Sequence, residues 1–224
     1  TAVPLPLLQE CIAPEKEWVT MRRFPGLPPK LKLLLGDIHQ GGSATPGMVS
    51  KIMAWRKSVK DEQGNLWDQL AASNEKYIDQ MFAMNAACAE NEAAYDAVIA
   101  ALGAVPAKDW ASVAFDAPEQ KKIAQQWVLM ATQGNTGRTL LRDVGERADV
   151  EVEPKVLTPL LDATAAFPGV LAVGCPGAGG YDAVFALALG GDARTAVEGF
   201  WEGFEGLEVC PLLVEEDSEG IKVL

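Results

Sequence analysis

Three stretches of the sequence combine residue types able to hold an oxyanion. The first is GCPGAGGYDAVFAL, residues 174 to 187, which sets four glycines and a proline into seven positions between two apolar runs. Glycine loses backbone entropy on folding and packs no side chain, so a cluster this dense signals that something approaches the main chain closely. Bare N–H groups at Gly177, Ala178, Gly179 and Gly180 would make a concavity suited to an anion. The same residues would also serve a strand corner that needs only positive φ. The second stretch, GDIHQGGSATPGMV, places Gly41, Gly42, Ser43 and Thr45 at the start of a helical pattern, where exposed N–H groups and the helix dipole favour negative charge. Ser43 and Thr45 acting only as helix caps is the competing reading. In the third, GRTLLRDVGERADVEVEP, Arg138 and Arg142 are four residues apart. On a helix they share a face and together suit a phosphate, or they belong to a solvated face paired with Asp143 and Glu146.

Other chemistries fit these stretches poorly. No Lys-Ser or Lys-Thr follows the glycines, which excludes a P-loop, and they lead into the strand-like DAVFAL where a dinucleotide fingerprint would open a helix. The four cysteines, Cys11, Cys88, Cys175 and Cys210, are too dispersed for a zinc or redox pair, and the single His39 builds no metal site, so no protein-held metal is expected. Cys175 borders the glycine stretch but reads as a packed thiol, and His39 as a surface loop residue. Asp37 and Asp182 fall at strand ends, where turn and cap roles are commoner than orienting a metal or hydroxyl; Asp182 stays with the glycine loop as a candidate.

The elements that must position these groups follow from apolar periodicity. EWVTMRRF and LKLLLGDI read as strands, the second as a run buried on both faces. TPGMVSKIMAWRKS reads as a helix with Thr45 as N-cap, Pro46 at the first position, and one buried face made by Met48, Val49, Ile52 and Met53. From Asn65 to Ala148 the spacing is helical, with one stripe through Leu66, Leu70, Tyr77, Met81 and Met84, a second helix in AAYDAVIAAL, and further pieces over 118–130 and 136–147. Trp67, Trp110 and Trp127 fit core or rim positions. Then PKVLTPLLDATAAF reads as helix, GVLAVGC and DAVFALAL as strands, ARTAVEGFWEGF as helix and LEVCPLLVEE as a last strand. Leaving the helical middle aside, this order predicts an α+β fold close to the ferredoxin-like β-α-β-β-α-β arrangement, with a large helical insertion at about 62–150. No repeat or linker divides 1–224 into independent domains.

Bulk properties narrow the partners. With 19 basic and 31 acidic residues the net charge is −12, which repels nucleic-acid backbones and anionic membrane surfaces, so neither partner is expected. A small anion would have to be met by a few local cations and backbone N–H groups. No apolar window is long enough to span a bilayer and the start lacks a signal-peptide pattern, which predicts a cytoplasmic protein.

LLLGDIHQGGSATPGMVSKIMAW, NLWDQLAASN, GRTLLRDVGERADVEVEP and LLDATAAFPGVLAVGCPGAGGYDAVFALAL, in this order, resemble the C-terminal half of eukaryotic-type phosphomevalonate kinases of the GHMP kinase superfamily. The resemblance runs over nearly the whole chain, and PGAGGYDA together with GGSATPGMV is its most specific part. It implies transfer of the ATP γ-phosphate, with Mg, to 5-phosphomevalonate, giving 5-diphosphomevalonate in isoprenoid synthesis. It further implies that Gly177 to Gly180 belong to the family's third glycine motif beside the triphosphate and substrate. Ser43 and Thr45 match its substrate-side loop, and Arg138 and Arg142 its paired arginines; no residue is marked as the catalyst. The family's nucleotide loop of the form Gly-Leu-Gly-Ser-Ser-Ala does not occur in these residues, so the N-terminal half of the same kinase is expected as a partner, and this chain alone is expected to be inactive. Mevalonate kinase, diphosphomevalonate decarboxylase and a non-catalytic phosphate-binding module are the alternatives.

Overall fold

The computed structural model describes residues 24–39, 42, 45–60, 62 and 65–215. EWVTMRRF, expected as a first strand, lies outside the described residues except for Phe24, which is in no strand.

Strand β3 (Ala183–Leu189) is apolar at every position, and its side chains alternate between two hydrophobic clusters. Val184, Ala186 and Ala188 enter one, while Leu187 and Leu189 enter the other. That two-sided burial makes β3 an inner strand. β1 (Leu31–Ile38) pairs with it antiparallel from Leu31↔Leu189 to Asp37↔Ala183, and β2 (Val170–Gly174) pairs antiparallel on its other side. β4 (Val209–Leu212) pairs antiparallel with β1, so the sheet order is β2-β3-β1-β4. Pro211, which has no N–H to donate, is tolerated on this edge strand. β1 differs from expectation: Leu33 and Asp37, on the face of Leu31, are exposed because the helices on that side cover β2, β3 and only the start of β1, and Lys32 is exposed on the opposite face, where Leu34 and Ile38 are buried. The fold is α+β, a four-stranded antiparallel sheet with helices on both faces.

Seven helical elements follow from the sequence signals. α1 spans Thr45–Val59 and so begins at Thr45 itself, which makes that residue part of the helix and not its preceding cap. Its expected buried face is absent: Val49 and Met53 are nearly half exposed, and only partial cover reaches Met48 and Ile52. α2 (Leu66–Glu90) starts where the Asn65 side chain accepts from Asp68 N–H at 3.0 Å, and Asn91 both ends it and caps α3 (Glu92–Gly103). After a 3₁₀ turn (Ala107–Ser112) comes α4 (Pro118–Ala148), one continuous helix where the periodicity suggested two pieces. Gly134 interrupts the apolar pattern without breaking the helix; a Cβ there would lie 3.0 Å from that of Ala172, so glycine lets α4 settle on β2. α3, the 3₁₀ turn and α4 pack Tyr95, Trp110, Trp127 and Met130 against one face of the sheet, with Met84 of α2, and Trp110 and Trp127 are core residues as the tryptophan reading expected.

The opposite face carries α5 (Thr158–Ala165) and α6 (Gly190–Glu202). Trp201 lies on it fully buried, its indole N–H donating to Thr164 Oγ1 at 2.9 Å. Gly36 is the reason that ring fits, since a Cβ there would stand 2.9 Å from Trp201 Cε3. Trp201→Ala should therefore cost about 3–5 kcal/mol, measured by denaturant unfolding. Leu33→Ala on the open part of β1 should cost under about 1 kcal/mol.

Candidate functional site

The site is organised by the way α4 ends. Asp149 adopts the left-handed conformation (φ 53), Asp149 N–H reaches Glu146 O, and Val150 N–H donates to Gly145 O at 2.9 Å. This is a Schellman termination, and it folds the following residues back over Gly145, where a Cβ would meet Val150 O at 2.6 Å. The segment 150–153 then runs alongside the glycine loop.

What comes close to the glycines is this segment. A Cβ at Gly179 would lie 2.2 Å from Val152 O, and that oxygen accepts Gly180 N–H at 3.0 Å. Gly179 N–H closes a turn on Pro176 O at 3.1 Å. Gly177, Gly179 and Gly180 all have positive φ, at 65°, 79° and 96°. Two of the four expected bare amides are thus occupied by backbone. Gly177 is exposed and Ala178 half-buried, and among the described residues neither N–H donates to a backbone carbonyl. Asp182 serves the sheet, its carbonyl accepting Ile38 N–H at 3.0 Å.

A cleft of about 800 Å³ joins Gly180 and Tyr181 of this loop to Gly42, Gly47 and Lys51 around the start of α1 and to Arg142 on α4. The cleft thus touches one glycine-rich bend at Gly42 and the other at Gly180 and Tyr181, while Gly177, Ala178 and the exposed Thr45 are off its lining. Ser43 and Gly41 lie outside the described residues.

The two arginines differ sharply. Arg138 is 12 % exposed: its Nε and Nη2 donate to the two carboxylate oxygens of Glu153 at 2.7 Å each, and Nη1 meets Asp162 at 2.8 Å. Arg142 is half exposed, with Nε 4.0 Å from Glu153. The paired arginines are thus not equivalent: Arg138 is held by carboxylates, and Arg142 lines the cleft. Neither pairs with Asp143 or Glu146 among the interactions of the described residues.

Glu153 was not legible as a site residue, nor were Lys51, Lys155 and Tyr181. Burial alone would raise the Glu153 carboxyl, but the hydrogen bond and charge of Arg138, with Thr158 and Arg142, outweigh it and hold the pKa below the ordinary value. Lys51 bridges from α1 to the α4 terminus, donating to Asp149 O and Oδ2 at 3.0 Å each. Tyr181 donates to Glu151 at 2.5 Å. Burial, with the nearby Glu153 charge, pushes the Cys175 thiol up to about 12, so it is a packed neutral thiol. His39 is exposed at the end of β1. Lys51, Arg142 and Lys155 supply positive charge to the cleft, while Glu146, Asp149, Glu151 and Glu153 offset it.

The chain is 32 % identical over 205 residues to the peroxisomal phosphomevalonate kinase of Arabidopsis thaliana, an alignment covering 92 % of this chain and 40 % of that protein. It is 31 % identical over 215 residues to phosphomevalonate kinase ERG8 of Gibberella zeae, covering 93 % and 39 %. To phosphomevalonate kinase erg8 of Aspergillus fumigatus it is 28 % identical over 207 residues, covering 88 % and 36 %. The chain thus spans about two fifths of the length of these curated relatives, and it is homologous to the C-terminal half of phosphomevalonate kinases. A crystal structure of the Lin0012 protein from Listeria innocua superposes on 80 % of the chain and 38 % of that protein with a TM-score of 0.48 and 16 % identity. No protein-family profile matches.

Two outcomes follow from this geometry. Gly179→Ala should destabilise by at least about 2 kcal/mol, since positive φ and a backbone clash add, whereas Gly177→Ala, with open space around it, should cost only about 1 kcal/mol; chemical denaturation separates them. Glu153 has a depressed folded pKa, so its stabilisation is complete above the ordinary carboxylate pKa and is lost as pH falls through the folded value. Glu153→Gln should therefore flatten the acid limb of a stability-against-pH curve and lower the plateau at neutral pH.

Proposed function

We propose that this chain forms the acceptor side of a phosphomevalonate kinase, which transfers the γ-phosphate of ATP to 5-phosphomevalonate and yields 5-diphosphomevalonate. The observation that carries the reading is the cleft in which the start of α1, Arg142 and the glycine loop meet, on a chain homologous to half of such kinases. The all-antiparallel order β2-β3-β1-β4, with α6 linking β3 to β4 across β1, supports a ferredoxin-like GHMP C-terminal domain in which α2, α3 and α4 are the insertion. On this reading residues 1–224 are one such domain, and the nucleotide-binding half belongs to a preceding N-terminal domain.

Phosphoryl transfer asks the protein mainly to position two anions and neutralise charge. Arg142, exposed in the cleft and only loosely paired, is assigned to the phosphate of 5-phosphomevalonate; the amides of Gly177 and Ala178 and the Lys155 ammonium are assigned to phosphate oxygens beside it. Arg138 is assigned a positioning role, holding Glu153 and with it the segment on which the glycine loop rests. Thr45 and Ser43 keep their assignment to the substrate-side loop, and Asp182 its place under the glycine loop.

The donor set fits part of ATP, namely its phosphates. Among the described residues no group of three or more His, Cys, Asp or Glu is placed to hold a metal, so Mg²⁺ would enter on the nucleotide phosphates with at most one or two of the cleft carboxylates. Bound there, it would offset charge developing between the phosphates. No helix among the described residues is long and apolar enough to cross a membrane. A cytoplasmic location is proposed for this chain, in contrast to the Arabidopsis thaliana relative, which is named as peroxisomal.

The test is ADP release from the chain joined to the preceding half of its own protein, with 5-phosphomevalonate and with mevalonate as acceptors. Activity that requires the phosphorylated acceptor is expected, and its absence contradicts the proposal. In that assay Arg142→Ala should raise the KM for 5-phosphomevalonate about tenfold or more while leaving the melting temperature in place. Arg138→Ala should instead lower the melting temperature, because it leaves Glu153 buried without its partner.

A further inference from the structure

A second cavity, of about 290 Å³, lies between α2, α4 and the strands β2 and β3, and it shares only Val152 and Glu153 with the cleft. Its volume is about twice that of the engineered apolar cavity that takes up benzene. Leu141, Ala172, Phe185 and Leu187 form its apolar walls.

Charge is excluded from an occupant. The Arg138 guanidinium on the wall is already occupied by Glu153 and Asp162, and the Glu153 carboxylate is occupied in return by Arg138 and Thr158. The Cys175 thiol on the wall is neutral. The uncharged polar side chains on the wall are Ser73, Asn74, Tyr77 and Gln133. The Gln133 carboxamide is fixed across the helices by Nε2 donating to Ser73 Oγ at 2.7 Å. The Tyr77 ring lines the cavity, while its hydroxyl is buried away from that space.

Gly137 gives an independent argument that the space is kept open. Glycine inside a helix costs about 1 kcal/mol relative to alanine. Gly134, one turn earlier, is required by the close approach of Ala172, but a Cβ at Gly137 would meet nothing nearer than Ser73 Oγ at 3.9 Å, an ordinary contact. Packing does not call for glycine at 137, whereas any larger side chain there would enter the cavity.

We propose that this cavity binds a compact uncharged molecule with an apolar body and one hydroxyl or carbonyl group, recognised by Gln133. The site is separate from the phosphate cleft and does not depend on the kinase reading, so either can fail alone.

The experiment titrates the unaltered chain with cyclohexanol, with methylcyclohexane as the apolar control and cyclohexanecarboxylate as the charged one, following backbone amide resonances and the melting temperature. Cyclohexanol at millimolar concentration should shift Gly134, Gly137, Ala172 and Cys175 and raise the melting temperature, and the carboxylate should do neither. Gly137→Leu should weaken cyclohexanol binding about tenfold or more while the melting temperature holds or rises. Gln133→Leu should weaken cyclohexanol and leave methylcyclohexane unchanged. Absence of cyclohexanol-dependent shifts, shifts confined to residues outside the cavity, or full affinity in Gly137→Leu would each overturn the proposal. Should Gly137→Leu fail to fold, the resonance map of the unaltered chain and Gln133→Leu decide the matter by themselves.

Discussion

The contact between the main chain at Val152 and the glycines at 179 and 180 is the constraint on which the site depends. No side chain fits at 179, and the Gly180 amide is tied to the Val152 carbonyl. The glycine loop therefore takes its shape from the returning end of α4, and that end is shaped in turn by Gly145 and the left-handed Asp149. Glycine density here records one backbone pressed on another. The amides of Gly177 and Ala178 are what this packing leaves toward the surface.

The Arg138–Glu153 pair holds the same segment from its other side. Burying two charges costs several kcal/mol per ion unless geometry and extra hydrogen bonds compensate. Here the guanidinium meets both carboxylate oxygens and also Asp162, while Thr158 donates to the carboxylate. Such a pair contributes less to net stability than to fixing one arrangement, and what it fixes is the position of 150–153 between α4 and the glycine loop. A single arginine thereby controls the wall of the cleft without reaching into it, and Arg142, one turn further along the same helix, is left to face solvent.

Much of this architecture was legible in local pattern. The strands from Leu31 to Leu212 and the helical middle follow from period and capping, because Asn65 and Asn91 mark helix boundaries in ways that need no tertiary knowledge. That both glycine-rich bends lie at ends of strands of one sheet was also readable. What failed did so for tertiary reasons. The apolar residues of α1 look like a core face but meet little of the described chain, and β1 reads as doubly buried although only its face with Leu34, Gly36 and Ile38 is covered along most of its length. The arginine pair looked symmetrical because i and i+4 spacing says nothing of a carboxylate eleven or more positions downstream. Glu153 sits in an acidic run, DVEVEP, that resembles a solvated turn, and only the reversal at Asp149 brings it under Arg138.

The central claim is that the two bends and Arg142 face one oxyanion. Titration of the chain with inorganic phosphate, read by backbone amide and arginine Nε–H resonances, tests it without needing turnover. The account predicts that Gly42, Gly177, Ala178 and the Arg142 side chain shift together along one binding curve, with the Arg138 side chain unmoved. Shifts at the Gly177–Ala178 turn that follow a different curve from those at Gly42 and Arg142, or a shift of Arg138 in place of Arg142, would contradict it.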